Sequence, residues 1–181
     1  IVYRTESWPY LTGDLYGKYA HDRTDMQSVH KVFVSEELSD EERNLILIVR
    51  RAPGEPRAIT NHDDLVKLVE KNILESKHNL QMYIFTAQGH VREHIKIWQK
   101  ARIVVAPHGA GLFNVMWCKP GTDIIEIGYD EGWPMPEMYF EMASHCGHRY
   151  WLVKGTGKYS KPITADLVDL QWSIKQALKE A

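Results

Sequence analysis

An α/β fold built on a parallel sheet is predicted by two observations. From Leu45 onward, short β-rich runs alternate with amphipathic segments, and the first of those runs is apolar throughout. Such alternation is the pattern of βαβ units, and an unbroken apolar run is what a strand covered on both faces requires. The expected architecture is a Rossmann-like doubly wound parallel sheet in the order 2-1-3-4-5. Leu45-Ile46-Leu47-Ile48-Val49 reads as the first strand. After the turn-forming Ala52-Pro53-Gly54-Glu55-Pro56, either Thr60 or Asn61 can cap a helix whose apolar face is Leu65, Leu68, Val69 and Ile73. Residues 81–85 read as a second strand, and Val91, Ile95 and Trp98 mark a second helix. Third, fourth and fifth strands are expected at 103–106, 123–127 and 150–153, with helices over 110–117 and 136–145. Leu167, Leu170, Ile174 and Leu178 give a closing amphipathic helix over 164–179.

Residues 1–44 fit this pattern poorly. They are rich in Tyr and Asp, with one periodic stretch at Met26, Val29 and Phe33, and are read as a linker helix plus the remnant of a preceding region. Residues 45–181 are read as the domain. A length of 181 residues with 44% hydrophobic and 25% charged residues suits one globular domain, which buries roughly 70% of its unfolded surface. The net charge of −2 offers nucleic acid no general attraction, so no nucleic-acid partner is expected. The apolar stretches fall far short of the ~20 residues of a membrane helix, and no membrane segment or leader is expected in this chain. Two cysteines, Cys118 and Cys146, leave the redox compartment open.

The chemistry concentrates at two strand ends. Val104-Val105-Ala106-Pro107-His108-Gly109-Ala110-Gly111-Leu112-Phe113-Asn114 is a strand, a glycine-rich turn and the start of a helix. Glycines let a ligand approach the backbone, and free N–H groups at a helix start attract phosphate. Tight packing alone would explain such a turn equally well. At the end of the first strand stand Arg50 and Arg51, then Arg57 and Asn61. Guanidinium groups bind diphosphate oxygens by charge-assisted, often bidentate hydrogen bonds. A solvated loop is the ordinary reading of such a run, but in the order 2-1-3-4-5 it faces the glycine turn across the crevice where open α/β sheets bind ligands.

The ordered set of a strand ending in Arg, Arg57-Ala58-Ile59-Thr60-Asn61 with Asp64-Leu65, Pro107-His108-Gly109-Ala110-Gly111-Leu112 with Asn114, Pro120-Gly121 and Ile124-Ile125-Glu126 resembles glycosyltransferase family 61. The resemblance spans about residues 45–153. It implies the C-terminal, donor-binding half of a GT-B enzyme, with an N-terminal acceptor domain outside this chain. The implied reaction is inverting transfer of a sugar from a nucleotide-sugar, a UDP-sugar foremost, to a glycan or glycoprotein hydroxyl in the Golgi or endoplasmic reticulum lumen. Carried onto this sequence, the resemblance implies that Arg57 and one of Arg50 or Arg51 bind the diphosphate. His108, Gly109, Ala110, Gly111 and Leu112 hold it from the other side, Asn61 and Asn114 line the site, and Glu126 receives ribose hydroxyls. Glu126 serves equally well as a capped strand end, and Asn61 as a helix cap. The base is expected from the other domain, with His108 the candidate within this chain.

No metal site or cofactor is expected, because no Asp-x-Asp occurs. His90-Val91-Arg92-Glu93-His94 matches a zinc-peptidase spacing, but nine histidines meet it easily by chance. His145, Cys146 and His148 lack the separated ligand pairs of structural zinc and are read as surface residues. Trp133 could stack on a sugar, although core packing is the usual role of tryptophan. The second functional class is a Rossmann-like module that binds a ligand or partner and catalyses nothing; nucleoside diphosphate binding together with sugar transfer separates the two.

Overall fold

The computed structural model describes residues 22–34 and 36–179. Five parallel strands form one sheet in the order β2-β1-β3-β4-β5: β1 (Leu45–Val49), β2 (Gln81–Phe85), β3 (Ala101–Pro107), β4 (Asp123–Ile127) and β5 (Arg149–Val153). The order and the parallel sense are those expected from the sequence. β1 and β4 are buried along their whole length, whereas the edge strand β2 alternates and exposes Tyr83. That contrast follows from position, since only central strands are covered on both faces.

Alternate side chains feed two cores. On one face Ile46, Ile48, Ile103, Val105, Ile125 and Ile127 pack with helices α2 (His62–Glu75) and α5 (Leu167–Lys179), which supply Leu65, Val69, Leu170 and Ile174. On the other face, Leu47, Val104 and Ile124 meet α3 (Val91–Gln99) and α4 (Met138–His145) through Trp98 and Met142, and a 3-10 helix (Ala110–Trp117) through Leu112 and Val115. Helix α1 (Arg23–Phe33) joins this second face: Met26 is buried, His30 Nδ1 lies 2.6 Å from Met116 O, and Phe33 packs edge-on against Trp117. The linker helix expected from Met26, Val29 and Phe33 is thus docked on the domain. The remnant expected before it falls, up to residue 21, outside the described residues.

Several local expectations change. The helix expected over 110–117 is present with those bounds, as a 3-10 helix. The closing helix begins at Leu167 because Asp166 caps it, accepting from Val168 N at 2.9 Å and Asp169 N at 3.1 Å. Thr164–Ala165 instead pairs antiparallel with Gly155–Thr156, giving β6 (Gly155–Thr156) and β7 (Thr164–Ala165). His90 and Glu93 form the capping box of α3, and His94 Nε2 bonds Gln88 O, so this histidine pattern serves a helix start. His148 is buried rather than at the surface, with Nε2 donating to Val115 O at 2.9 Å.

Candidate functional site

The heads of β1 and β3, neighbours in the middle of the sheet, carry the arginine loop and the glycine turn. A Cβ placed on Gly109 would lie 2.8 Å from Arg51 Nη1 and 3.9 Å from Arg57 Nε and Nη2. Two guanidinium groups therefore cover one peptide. Gly109 has φ 148°, so a side chain there would be strained as well as in collision. At Gly111 a Cβ would press on Val49 at 3.1 Å, which ties the turn to β1.

The two arginines are held differently. Arg57 Nε donates to His108 O at 3.0 Å and Nη1 to Tyr159 O at 2.7 Å, with its guanidinium carbon 4.1 Å from the Tyr159 ring centroid. That is a cation–π seat as well as a hydrogen-bonded one. The Arg57 backbone is left-handed, φ 61°, a rare conformation for a residue with a side chain, and its N–H is fixed to Lys161 O at 2.6 Å. Arg51 Nε, by contrast, is buried without a hydrogen-bond partner, the nearest carboxylate oxygen being Glu55 Oε2 at 3.8 Å. A buried, unpaired charged donor is costly unless something takes it.

Across from these groups, the N–H groups of Gly109, Ala110 and Gly111 donate to no acceptor among the described residues; Leu112 N is the first to find one, Gly109 O at 2.9 Å. Amides at a helix start and two guanidinium groups gather positive charge and partial charge at one place. The side chain of Leu112 is core, so only its backbone belongs to the turn. Asn114 Nδ2 donates to Gly111 O at 3.0 Å and stitches the turn together. Asn61 does not cap α2 with its side chain; its amide pairs both ways with the Ala165 backbone, at 2.9 and 3.0 Å. Arg50 is exposed and extends the sheet, its N–H donating to Phe85 O, so Arg51 is the strand-end arginine that reaches the turn.

Beneath the turn lies a buried polar cluster. Glu126, fully buried at the head of β4, receives His108 Nδ1 on one oxygen and the Tyr150 hydroxyl on the other, each at 2.5 Å. The carboxylate expected to receive ribose hydroxyls is thus fully buried, and through Nδ1 it orients His108. The His108 ring packs edge-on against Tyr129 and Tyr139, and its Nε2 has no hydrogen-bond partner among the described residues. Burial raises the pKa of Tyr129, to about 12, and raises those of Tyr139 and Tyr150 as well, so all three phenols stay protonated. Sequence reasoning missed Tyr159, Lys161 and Tyr150, whose roles rest on contacts made far along the chain. Trp133 is exposed, 70% accessible, rather than core.

Residues 6–125 match the family model Glycosyltransferase 61. The chain belongs to this family. The match runs through α1, the arginine loop and the His108 turn, and so extends well before Leu45. A glycosyltransferase function follows, with a sugar donor and an acceptor as partners. A search of the curated proteins found no match. Among the described residues, no helix is long and apolar enough to cross a membrane.

Proposed function

We propose that this member of glycosyltransferase family 61 is an inverting, nucleotide-sugar-dependent enzyme and that the chain supplies the donor side. The donor's diphosphate is held by the guanidinium groups of Arg51 and Arg57 together with the amides of the His108–Leu112 turn. An acceptor hydroxyl of a glycan or protein attacks the anomeric carbon. The bond from that carbon to the diphosphate breaks, and the electron pair leaves with the phosphate. Positive groups aimed at that developing charge are the main catalytic contribution expected of such a site. In this reading guanidinium groups neutralise the diphosphate and no metal ion is needed. The acceptor's proton goes to a base, for which His108 is the candidate in this chain. The family resemblance supports a UDP-sugar as donor and the lumen of the secretory pathway as the place of work.

One observation carries the reading: Arg51 Nη1 lies over Gly109, whose N–H, with those of Ala110 and Gly111, meets no acceptor among the described residues. Arg51→Ala removes one of the two cations at the phosphate, and titration calorimetry with UDP reads the loss. Expected is a weakening of about 1.5–3 kcal/mol, the range for hydrogen bonds to charged groups, or roughly 10- to 100-fold in Kd. Arg51→Lys should restore part of it, since a point charge replaces the fork imperfectly. Unchanged UDP affinity in Arg51→Ala would overturn the assignment.

A further inference from the structure

The hairpin formed by β6 and β7, residues 155–165, follows the matched segment 6–125 and ties together two loops at the head of the sheet. On one side it pairs with the arginine loop. Ile163 N donates to Ala58 O at 2.9 Å, Thr60 N donates to Ile163 O at 2.8 Å, and Ile59 and Ile163 form a parallel bridge. On the other side it pairs with the loop after β4, where Glu131 N donates to Gly157 O at 3.1 Å and Tyr159 N to Glu131 O at 2.9 Å. The two sides meet at Tyr159. Its carbonyl accepts from Arg57 Nη1, and its ring lies under the Arg57 guanidinium. The same ring packs edge-on against Tyr129 with centroids 5.3 Å apart, and Tyr129 packs in turn on His108 at 5.5 Å.

Arg57 needs such holding for two reasons. Its backbone is left-handed, and its guanidinium shares the space over Gly109 with that of Arg51, a like charge. Without an anion between them the two repel, and an untethered arginine side chain gains freedom by swinging into water. Instead Nε and Nη1 are committed to His108 O and Tyr159 O, and the electron-rich ring face offsets part of the charge. Nη2 is the end left over. It has no hydrogen-bond partner among the described residues and lies 3.9 Å from the Cβ position of Gly109. A cation fixed before its ligand arrives loses little side-chain freedom on binding and needs no reorganisation as charge develops.

We propose that Tyr159 is a positioning residue for sugar transfer: from the hairpin it holds Arg57 in place ahead of the donor, with Nη2 left for the diphosphate. The proposal rests on the donor reading above and adds to it a residue that acts through Arg57.

The test is calorimetry on the full chain with UDP and with inorganic pyrophosphate. Tyr159→Leu removes the ring and should weaken both ligands about three- to tenfold, the size of a cation–π contact. Tyr159→Phe keeps the ring and should restore the affinity. In an Arg57→Ala background Tyr159→Leu should change nothing further, since the group it acts through is gone. Fluorinated phenylalanines at position 159 keep the shape of the ring while draining its face of negative charge, so affinity should fall stepwise with each fluorine. A ring that only fills space would show no such trend, and this series serves even where Tyr159→Leu does not fold. Equal losses with and without Arg57, or a flat fluorine series, overturn the positioning role; the donor site stands as long as Arg57→Ala still weakens UDP. If Arg57→Ala leaves UDP binding unchanged, or the unaltered chain binds neither ligand, the donor reading falls and the positioning role with it.

Discussion

Strand β4 carries a fully buried carboxylate at each end, with a buried histidine near each, and the two ends use them in opposite ways. At the foot, where the strands begin, Asp123 is fully buried and takes Arg149 by two nitrogens and Trp151 Nε1 at 2.9 Å. The foot's histidine, His148, bonds a backbone carbonyl and meets no carboxylate. At the head the carboxylate, Glu126, is spent on the histidine itself. A guanidinium never releases its proton, so the foot is a permanent clamp between β4 and β5. Imidazole is a proton carrier, and at the head His108 Nε2 has no hydrogen-bond partner among the described residues. Position along one strand, three residues apart, thus separates a structural ion pair from a group fit for chemistry.

Breaking the clamp should give the largest effect on stability. Asp123→Ala removes the carboxylate that takes two Arg149 nitrogens and the Trp151 N–H. Losing one member of a buried pair costs 3–5 kcal/mol, and because Arg149 is one-third exposed the lower end, about 3 kcal/mol, is expected. Urea unfolding measures it. UDP affinity of the folded fraction should not move; a variant that lost UDP binding while fully folded would dissolve the distinction between foot and head.

This division explains what the sequence could and could not disclose. Leu45–Val49 was legible because a central strand is apolar on both faces, and Asp123–Ile127 because Ile124, Ile125 and Ile127 keep that signal although Asp123 and Glu126 interrupt it. The glycine turn was legible because only glycine tolerates φ 148° under Arg51. β6 and β7 were not, since two residues carry no periodicity and Gly155 is there because a Cβ would strike Gly128 O. Nor could sequence choose between Arg50 and Arg51: adjacent residues on a strand end point to opposite sides, and only the register of β1 against β3 decides which meets the turn. Arg57 was found from its motif, but its seat on Tyr159 is a contact across 102 positions. His148 looked like a surface residue because nothing local announces burial at a strand foot.

That histidine gives the next effect. Burial lowers the His148 pKa from 6.5 to about 4, chiefly through lost hydration. Between these values the unfolded chain binds the proton and the folded chain does not, so stability must fall as pH drops from about 6.5 toward 4. The full drop is on the order of 3 kcal/mol. In His148→Gln this part of the pH dependence should vanish, even if the variant is less stable at pH 7. Equal slopes of unfolding free energy against pH in both proteins would mean that the foot's histidine is not the neutral, closed group described.

The smallest stability change and the sharpest functional one belong to Glu126→Gln. The amide keeps the shape but offers one acceptor oxygen where the carboxylate offers two, so either His108 Nδ1 or the Tyr150 hydroxyl loses its partner. A buried donor left unpaired costs about 1–3 kcal/mol, and because the ring can reorient, the lower part of that range is expected in urea unfolding. The consequence at the head differs from that at the foot. His108 O accepts from Arg57 Nε, so a histidine freed from its carboxylate loosens the turn that the arginines cover. Glu126→Gln should weaken UDP binding and slow sugar transfer at a temperature where it remains folded, and Asp123→Ala should do neither. Were the two variants to lose stability and keep full UDP affinity alike, Glu126 would be a second structural clamp, and His108 would owe nothing to it.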